Sequence, residues 1–316
     1  MHKGLLIIGP HPINHGIGGV TIHVQRLLDY LDNRNFKYKY LDYKQAGIIE
    51  QLKAICNAQV VHIHISNPMY QFVLTLWGRI MGTKVIVTLH GNYGRFGRFK
   101  NWLVRDVIRM STIPIVINAM SYESCIKINK STVLCSAFIP PQKEEKLQDS
   151  IVDLLERLRD NGKKIVSTNA YDISFDKEGN DVYGIDFLVQ QFKESFDCAL
   201  VISDPSGNYH KRFIDLESDS IYFFDFPHPY FEVLKRIDIF VRNTSTDGDA
   251  LSVKEALYLG VPALCTNVVD RPAGVRLFKY CDKRSFEDAL MQSEKIHVQI
   301  ENCADKLIEI YKNVIS

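Results

Sequence analysis

Asp247 and Glu255, with seven residues between them, bracket the most informative stretch of this 316-residue chain, residues 241–260, VRNTSTDGDALSVKEALYLG. The run 244–249 has the Ser, Thr, Asp and Gly composition of a loop, and the residues after it are those of a helix. Backbone N–H groups around Leu251 and Ser252 would stand at that helix's N-terminus, where an anion is held without further help. The carboxylates of Asp247 and Glu255 bracket that site. The same residues also have a purely structural reading. Ser252 with Glu255 three positions on fits a capping box, in which both side chains only satisfy helix donors. Asp247-Gly248-Asp249 reads as an ordinary acidic loop, since a cation site would need a third ligand that is not nearby in sequence.

A second place for chemistry lies in the first half. His90 closes the apolar run 84–89, and an imidazole at the carboxyl end of a parallel strand can donate a hydrogen bond or move a proton near neutral pH. Within VVHIHI, His62 and His64 alternate onto one face of a strand. Two histidines could ligate a metal, but without a third they read as a packed or hydrogen-bonded pair. Gly18 and Gly19 precede a helix and depart from the dinucleotide pattern G-x-G-x-x-G, so alone they are turn chemistry.

The elements that must position these groups alternate. Residues 5–8 form an apolar strand, followed by the loop GPHPINHGIGG and a helix with Val20, Val24, Leu27, Leu28 and Leu31 on one face. Such strand–loop–helix units build an open parallel sheet whose ligands sit at the carboxyl ends of its strands. Residues 140–145, PPQKEE, read as a linker between domains 1–145 and 146–316. Beyond it the alternation restarts at a helix over 151–159 and a strand over 164–167. In the stretch of interest, residues 237–241 predict a buried strand, and the helix starting near Ser252 stops at Gly260 before Pro262. One long, interrupted helix is expected over 287–315.

The run DGDALSVKEALYLGVPALCTNVVDRP resembles the donor-binding segment of family 4 retaining glycosyltransferases, in which two acids bracket seven residues and a G-x-P turn follows the helix. GGVTIHV is similar to that family's N-terminal glycine-rich loop, and VIVTLHGNYG to the segment whose histidine lies beside sugar and acceptor. The resemblance implies a GT-B architecture: an α/β protein of two Rossmann-like domains facing across a cleft, with the last helix crossing back to the first. It implies a hexosyl transfer from a nucleotide-sugar co-substrate to a glycan or lipid-linked acceptor, without metal or further cofactor, as in surface polysaccharide synthesis. By the same implication Asp247 contacts the sugar, Glu255 the ribose, and Leu251, Ser252, Gly18 and Gly19 the phosphates, while His90 serves the acceptor side. The sequence departs from the family in two ways. Asp247 replaces the usual Glu, and the two cations that clamp the donor diphosphate give way to Asn169 and Tyr183, so that either Lys177, Lys254 or, as favoured by its place before the acidic loop, Arg242 supplies the charge, or donor binding is weak or lost. An epimerase with water as acceptor, or a silent nucleotide- or partner-binding relative, stays open.

Composition bounds these readings. With 46% hydrophobic and 24% charged residues the chain can bury two ordinary cores. Its seven scattered cysteines form no CxxC pair, so neither a zinc site nor a disulfide framework is expected. The start MHKGLLIIGP is too short an apolar stretch for a signal peptide, and a cytoplasmic location without a nucleic-acid partner is expected. The net charge of +1 conceals 18 Lys and Arg against 9 Asp and Glu in residues 1–150, and 20 against 28 in the rest. Within the basic half, residues 95–110 combine Arg95, Arg98, Lys100, Arg105 and Arg109 with Phe96, Phe99, Trp102, Leu103 and Val107. That pattern suits peripheral contact with an anionic membrane at its inner face, or a surface helix packed through its apolar stripe.

Overall fold

Runs such as LLIIG, KVIVTL and CALVIS are apolar on both faces, as a parallel sheet covered by helices on either side requires. The computed structural model describes residues 4–11, 18–193, 197–216, 218–294 and 298–316. These form two units, Met1–Gln142 with Glu301–Ser316, and Lys143–Ile300.

Unit 1 contains β1 (Leu5–Gly9), α1 (Gly19–Asn33), β2 (Tyr38–Asp42), α2 (Ile48–Cys56), β3 (Val60–Ile63), α3 (Pro68–Ile80), β4 (Lys84–Leu89), α4 (Arg98–Met110), β5 (Ile113–Val116), α5 (Ala119–Cys125) and β6 (Val133–Leu134). Its six strands are all parallel, in the order β2-β1-β3-β4-β5-β6. The winding reverses between β1 and β3, so their carboxyl ends border a crevice. One face of the sheet packs Leu5, Ile7 and Val60 against Val24, Leu27 and Leu31 of α1, and the other packs Leu6, Ile8 and Val61 against Leu74, Val104 and Val107. Each such fully buried aliphatic side chain is worth roughly 2 kcal/mol.

Unit 2 runs through α6 (Asp149–Asp160), β7 (Lys164–Asn169), α7 (Ile185–Phe192), β8 (Cys198–Ser203), α8 (Asn208–Arg212), β9 (Ile221–Phe224), α9 (Tyr230–Leu234), β10 (Ile239–Arg242), α10 (Leu251–Tyr258), β11 (Ala263–Thr266), β12 (Arg276–Phe278) and α11 (Lys283–Met291). Its sheet, again wholly parallel, has the order β12-β11-β10-β7-β8-β9. Here the reversal falls between β7 and β10. It is the strand order of dinucleotide-binding sheets, whose ligand crevice lies at that point.

The helix expected over 287–315 is two helices, α11 and α12 (Cys303–Ile315). Asn302 caps the second by accepting from the Ala304 amide at 3.1 Å, a start signal inside what reads as one apolar period. α12 belongs to unit 1, where Leu307, Ile310, Tyr311 and Val314 complete the core against α1. All seven cysteines are free thiols, and those of Cys135 and Cys303 meet at 2.8 Å in that core. No helix among the described residues is long and apolar enough to cross a membrane.

Candidate functional site

Arg242 ends β10 and Asn169 ends β7, so both stand at the reversal point of unit 2. The Arg242 guanidinium donates to the Asn169 carbonyl at 3.2 Å and lies 5.1 Å from the centre of the Tyr183 ring. The cation therefore occupies the neighbourhood of the two positions where the sequence lacks one. Asn169 Oδ1 is buried there without a hydrogen-bond partner among the described residues. Gly184, next to Tyr183, caps α7 with φ +54°, and a Cβ there would collide with the side chain and carbonyl of Asn243. Only glycine fits that corner.

Arg242 is not a free clamp. Its Nε and Nη2 donate to the Asp247 carboxylate at 3.1 and 3.3 Å. Arg271, which the sequence reading did not single out, donates to the same carboxylate at 2.7 Å and also holds the Thr266 carbonyl and the Thr244 hydroxyl, both at 3.1 Å. All three ionic side chains are nearly inaccessible, at 11% for Arg242, 4% for Arg271 and 7% for Asp247. Burial opposes ionisation of Asp247, but the two guanidinium groups outweigh it and hold the carboxyl at about 2. In this structure Asp247 is the shared counter-ion of two arginines. Two cations on one carboxylate leave one positive charge among these three groups, which suits an incoming anion.

The capping box does not form. Helix α10 begins at Leu251 with Ala250 as its cap, and no side chain caps it, so Ser252 and Glu255 lie two positions too far along. The first amides of α10, including those of Leu251 and Ser252, therefore remain as an anion-binding end. Ser252 and Glu255 are both buried. Asp249 pairs with Lys254, giving the second acid of the loop a structural partner. The helix ends as expected: Gly260 has φ +70°, and the amides of Gly260 and Val261 return to the carbonyls of Leu257 and Ala256 at 3.0 and 2.8 Å.

In unit 1 His62 and His64 are the packed, hydrogen-bonded pair that the sequence suggests, with His64 Nε2 3.2 Å from His62 Nδ1, and two further histidines gather at His64. His23 comes from α1, His64 follows β3 and His90 follows β4, and ring nitrogens of these three lie within 4.8 Å of one another. Such a trio could hold a transition metal. A pair of strand-end histidines was visible in the sequence, but His23 sits on a helix and only the packing of α1 brings it over. Its Nδ1 donates to the Ala137 carbonyl at 2.7 Å. Burial, and then the neighbouring rings, push His62, His64 and His90 well below the ordinary imidazole value, so all three are neutral near pH 7. Gly18 caps α1 in extended geometry (φ −139°), and an added Cβ would meet only the Thr21 hydroxyl, at 3.9 Å. The fold does not require glycine there, whereas close approach of a ligand would. Gly19 is the first residue of α1, and residues 12–17 of the preceding loop lie outside the described residues.

No family model matches the chain, and no curated protein sequence matches it. Solved structures do. HepE from Anabaena in complex with UDP and glucose aligns at 11% identity and a TM-score of 0.67 over 100% of this chain and 96% of its own. Sucrose-phosphate synthase from Thermosynechococcus elongatus gives 13% and 0.63 over 99% and 96%, and a glycosyltransferase from Rickettsia africae gives 12% and 0.67 over 99% of both chains. The fold is GT-B. At these identities the likeness speaks for the fold alone, and the arrangement of side chains carries any argument about function.

Proposed function

We propose that the protein is a nucleotide-sugar-dependent glycosyltransferase of the family 4 type, retaining and metal-independent, that transfers a hexosyl group to a glycan or lipid-linked acceptor. The observation that carries this reading is the Arg242–Asp247–Arg271 cluster at the reversal point of unit 2, directly before the uncapped N-terminus of α10. As the bond from the anomeric carbon to the diphosphate breaks and one to the acceptor oxygen forms, charge develops on the leaving diphosphate. Fixed amides and guanidinium groups stabilise that charge without reorganisation, which is the service a divalent cation would otherwise give. In this scheme Arg242 and the amides near Leu251 and Ser252 hold the phosphates, and Gly18 and Gly19 approach them closely. Asp247, released in part from Arg242, takes a sugar hydroxyl, Glu255 takes the ribose, and His90 receives the acceptor.

The surface of unit 1 supports a lipid-linked acceptor. On α3, Met69, Val73, Leu76 and Ile80 are exposed at helical spacing, and on α4 Arg98, Trp102, Arg105 and Arg109 are exposed at the same spacing. Phe72 joins the two helices by lying 6.2 Å from Trp102, and Phe99 stacks on Trp102 at 6.1 Å. The whole stretch 51–105 contains no Asp or Glu. An apolar row beside a cationic row is the composition of a contact with anionic lipid.

Thermal melting with UDP, GDP, ADP, CMP and their common sugar conjugates tests the donor site, because a ligand of the native state must raise the midpoint. One base should act selectively, and Glu255→Ala should lose the shift. Release of nucleotide that depends on an added acceptor supports a transferase, and release in water alone points to an epimerase. No shift at millimolar ligand would remove the donor reading.

A further inference from the structure

Three imidazoles from three different elements of unit 1 gather around one point. The ring centres of His23 and His64 stand 5.1 Å apart, those of His23 and His90 5.0 Å, and those of His64 and His90 5.2 Å. The triangle is nearly regular. A zinc–imidazole bond of about 2.0–2.1 Å along the in-plane lone pair puts each ring centre about 3.2 Å from the metal, and two such centres about 5.2 Å apart at the tetrahedral angle. The three rings already stand at that spacing. Packing alone imposes no such regularity, since aromatic pairs are accepted anywhere between about 4.5 and 7 Å.

The nitrogens that would ligate can be named. His23 Nδ1 donates to the Ala137 carbonyl at 2.7 Å, so the lone pair of this ring is on Nε2. A backbone carbonyl on the other ring nitrogen is the tie that orients many metal-bound histidines. His64 Nδ1 and His90 Nε2 face each other at 3.0 Å. Two nitrogens on one tetrahedral zinc are about 3.3 Å apart, so this pair is nearly at its bound separation. Without metal a single proton bridges the pair, and whichever ring carries it becomes a ligand as its other tautomer. A ligating His64 holds its proton on Nε2, 3.2 Å from His62 Nδ1, a lone pair for which the Tyr311 hydroxyl competes. One nitrogen of each of the three rings lies within 4.8 Å of the others, and turning rings whose centres are already placed closes the set. His23 and His64 are buried and His90 is half-buried, so an ion enters, and its fourth position opens, on the His90 side. Imidazole donors select zinc and its neighbours over magnesium and calcium, which prefer oxygen.

We propose that His23 Nε2, His64 Nδ1 and His90 Nε2 form a three-nitrogen site for Zn²⁺, and that the bound ion shuts the acceptor out of His90. The binding stands on the three rings, and the inhibition rests on the assignment of His90 to the acceptor side. The ion takes no part in the transfer, and the metal-free chain is the active form.

The test uses the full chain, stripped with a chelator and dialysed against Zn²⁺ alone and, separately, against Co²⁺, whose visible spectrum reports coordination. One equivalent of each should be taken up. Cobalt should show the intense visible bands of a four-coordinate site and lack the near-ultraviolet band of a cobalt–thiolate bond, which matters because the seven free cysteines are the competing ligands. His90→Gln changes the half-buried member of the trio and should keep its melting midpoint in chelator. It should bind Zn²⁺ roughly a hundredfold more weakly or worse, beyond the roughly 10–100-fold that loss of an outer-shell partner costs. His210→Gln, which breaks the His210–Asp225 pair of unit 2, should bind as the wild type does. No uptake, uptake undiminished in His90→Gln, or a thiolate band overturns the site. In the transfer assay Zn²⁺ should raise acceptor KM and leave donor KM unchanged, and an acceptor KM that stays level at saturating Zn²⁺ overturns the inhibition. Metal uptake is read without turnover. Uptake through His90 in a protein that fails the donor assays supports the site and counts against the transferase reading, whereas turnover by a protein that takes up no Zn²⁺ does the reverse.

Discussion

Asp247 joins two buried cations, and the linkage between its ionisation and folding has a definite sign. Its folded value of about 2 lies below the ordinary 3.8, so the stability it contributes is fully present above pH 4 and is lost as pH falls from there toward 2. At about 1.4 kcal/mol per unit the contribution is on the order of 2 kcal/mol. Asp247→Asn should cost somewhat more at neutral pH, about 3 kcal/mol, because Arg242 and Arg271 are then left facing each other without a counter-ion. Urea unfolding at pH 7 and again near pH 3 checks this: the gap between wild type and variant should narrow in acid, and an equal gap at both would refute the pairing. The sequence disclosed Asp247 and Arg242 because they flank one loop. Arg271 was hidden because it follows β11, and only the pairing of β10 with β11 carries it to Asp247. The histidines behave likewise. The strand pattern exposed His62 and His64, while the convergence of His23 and His90 on them depends on how a helix crosses the sheet.

The helices α3 and α4 differ in how much of their role could be read in advance. The cations of α4 alternate with aromatics at a spacing that marks an amphipathic helix, and Trp102 is indeed half exposed, at 51%. In α3 an apolar residue occurs on nearly every face, so the exposed row Met69, Val73, Leu76 and Ile80 could not be told from the row that enters the core. Trp102 provides a direct measurement, because the other tryptophan, Trp77, is largely enclosed and donates to the Leu52 carbonyl at 3.0 Å. Vesicles rich in anionic lipid should shift Trp102 emission to the blue at low salt, vesicles of neutral lipid should not, and salt should reverse the shift. Each cation near the surface adds about 1 kcal/mol, so Arg98→Ala with Arg105→Ala should weaken binding roughly thirtyfold. Binding unaltered by the double substitution would place the lipid contact elsewhere, or nowhere. The C-terminal helix was legible as an interrupted helix, and Asn302, as a cap, marks where its second element starts.

At the scale of the whole chain, strand–helix alternation broken at a linker was enough to foresee two parallel sheets, because each buried strand and amphipathic helix announces itself locally. Strand order was not legible, and it is strand order that brings Arg242 to Asn169. Among the described residues each unit has hydrophobic cores of its own, so each unit can unfold for its own reasons. Unit 1 holds the three neutral histidines, whose folded values are depressed below 6.5. Their sign is that of a group kept uncharged by folding: stability is intact above pH 6.5 and is drawn down as pH falls below it, because only the unfolded chain then takes up the protons. Unit 2 carries the Arg242–Asp247–Arg271 cluster, which does not titrate until pH 4 and below, and it carries the proposed donor site. Calorimetry should therefore show two transitions that respond to different agents. Lowering the pH from 7.5 to 5.5 should bring one of them down by several degrees, and the cognate nucleoside diphosphate should raise the other. Substituting His64 by Gln removes one of the protons taken up on unfolding and should flatten the acid response of the first transition alone. If acid and nucleotide moved a single transition together, the separation of the cores would not govern unfolding, and the histidine cluster and the donor site would have to be treated as parts of one cooperative structure.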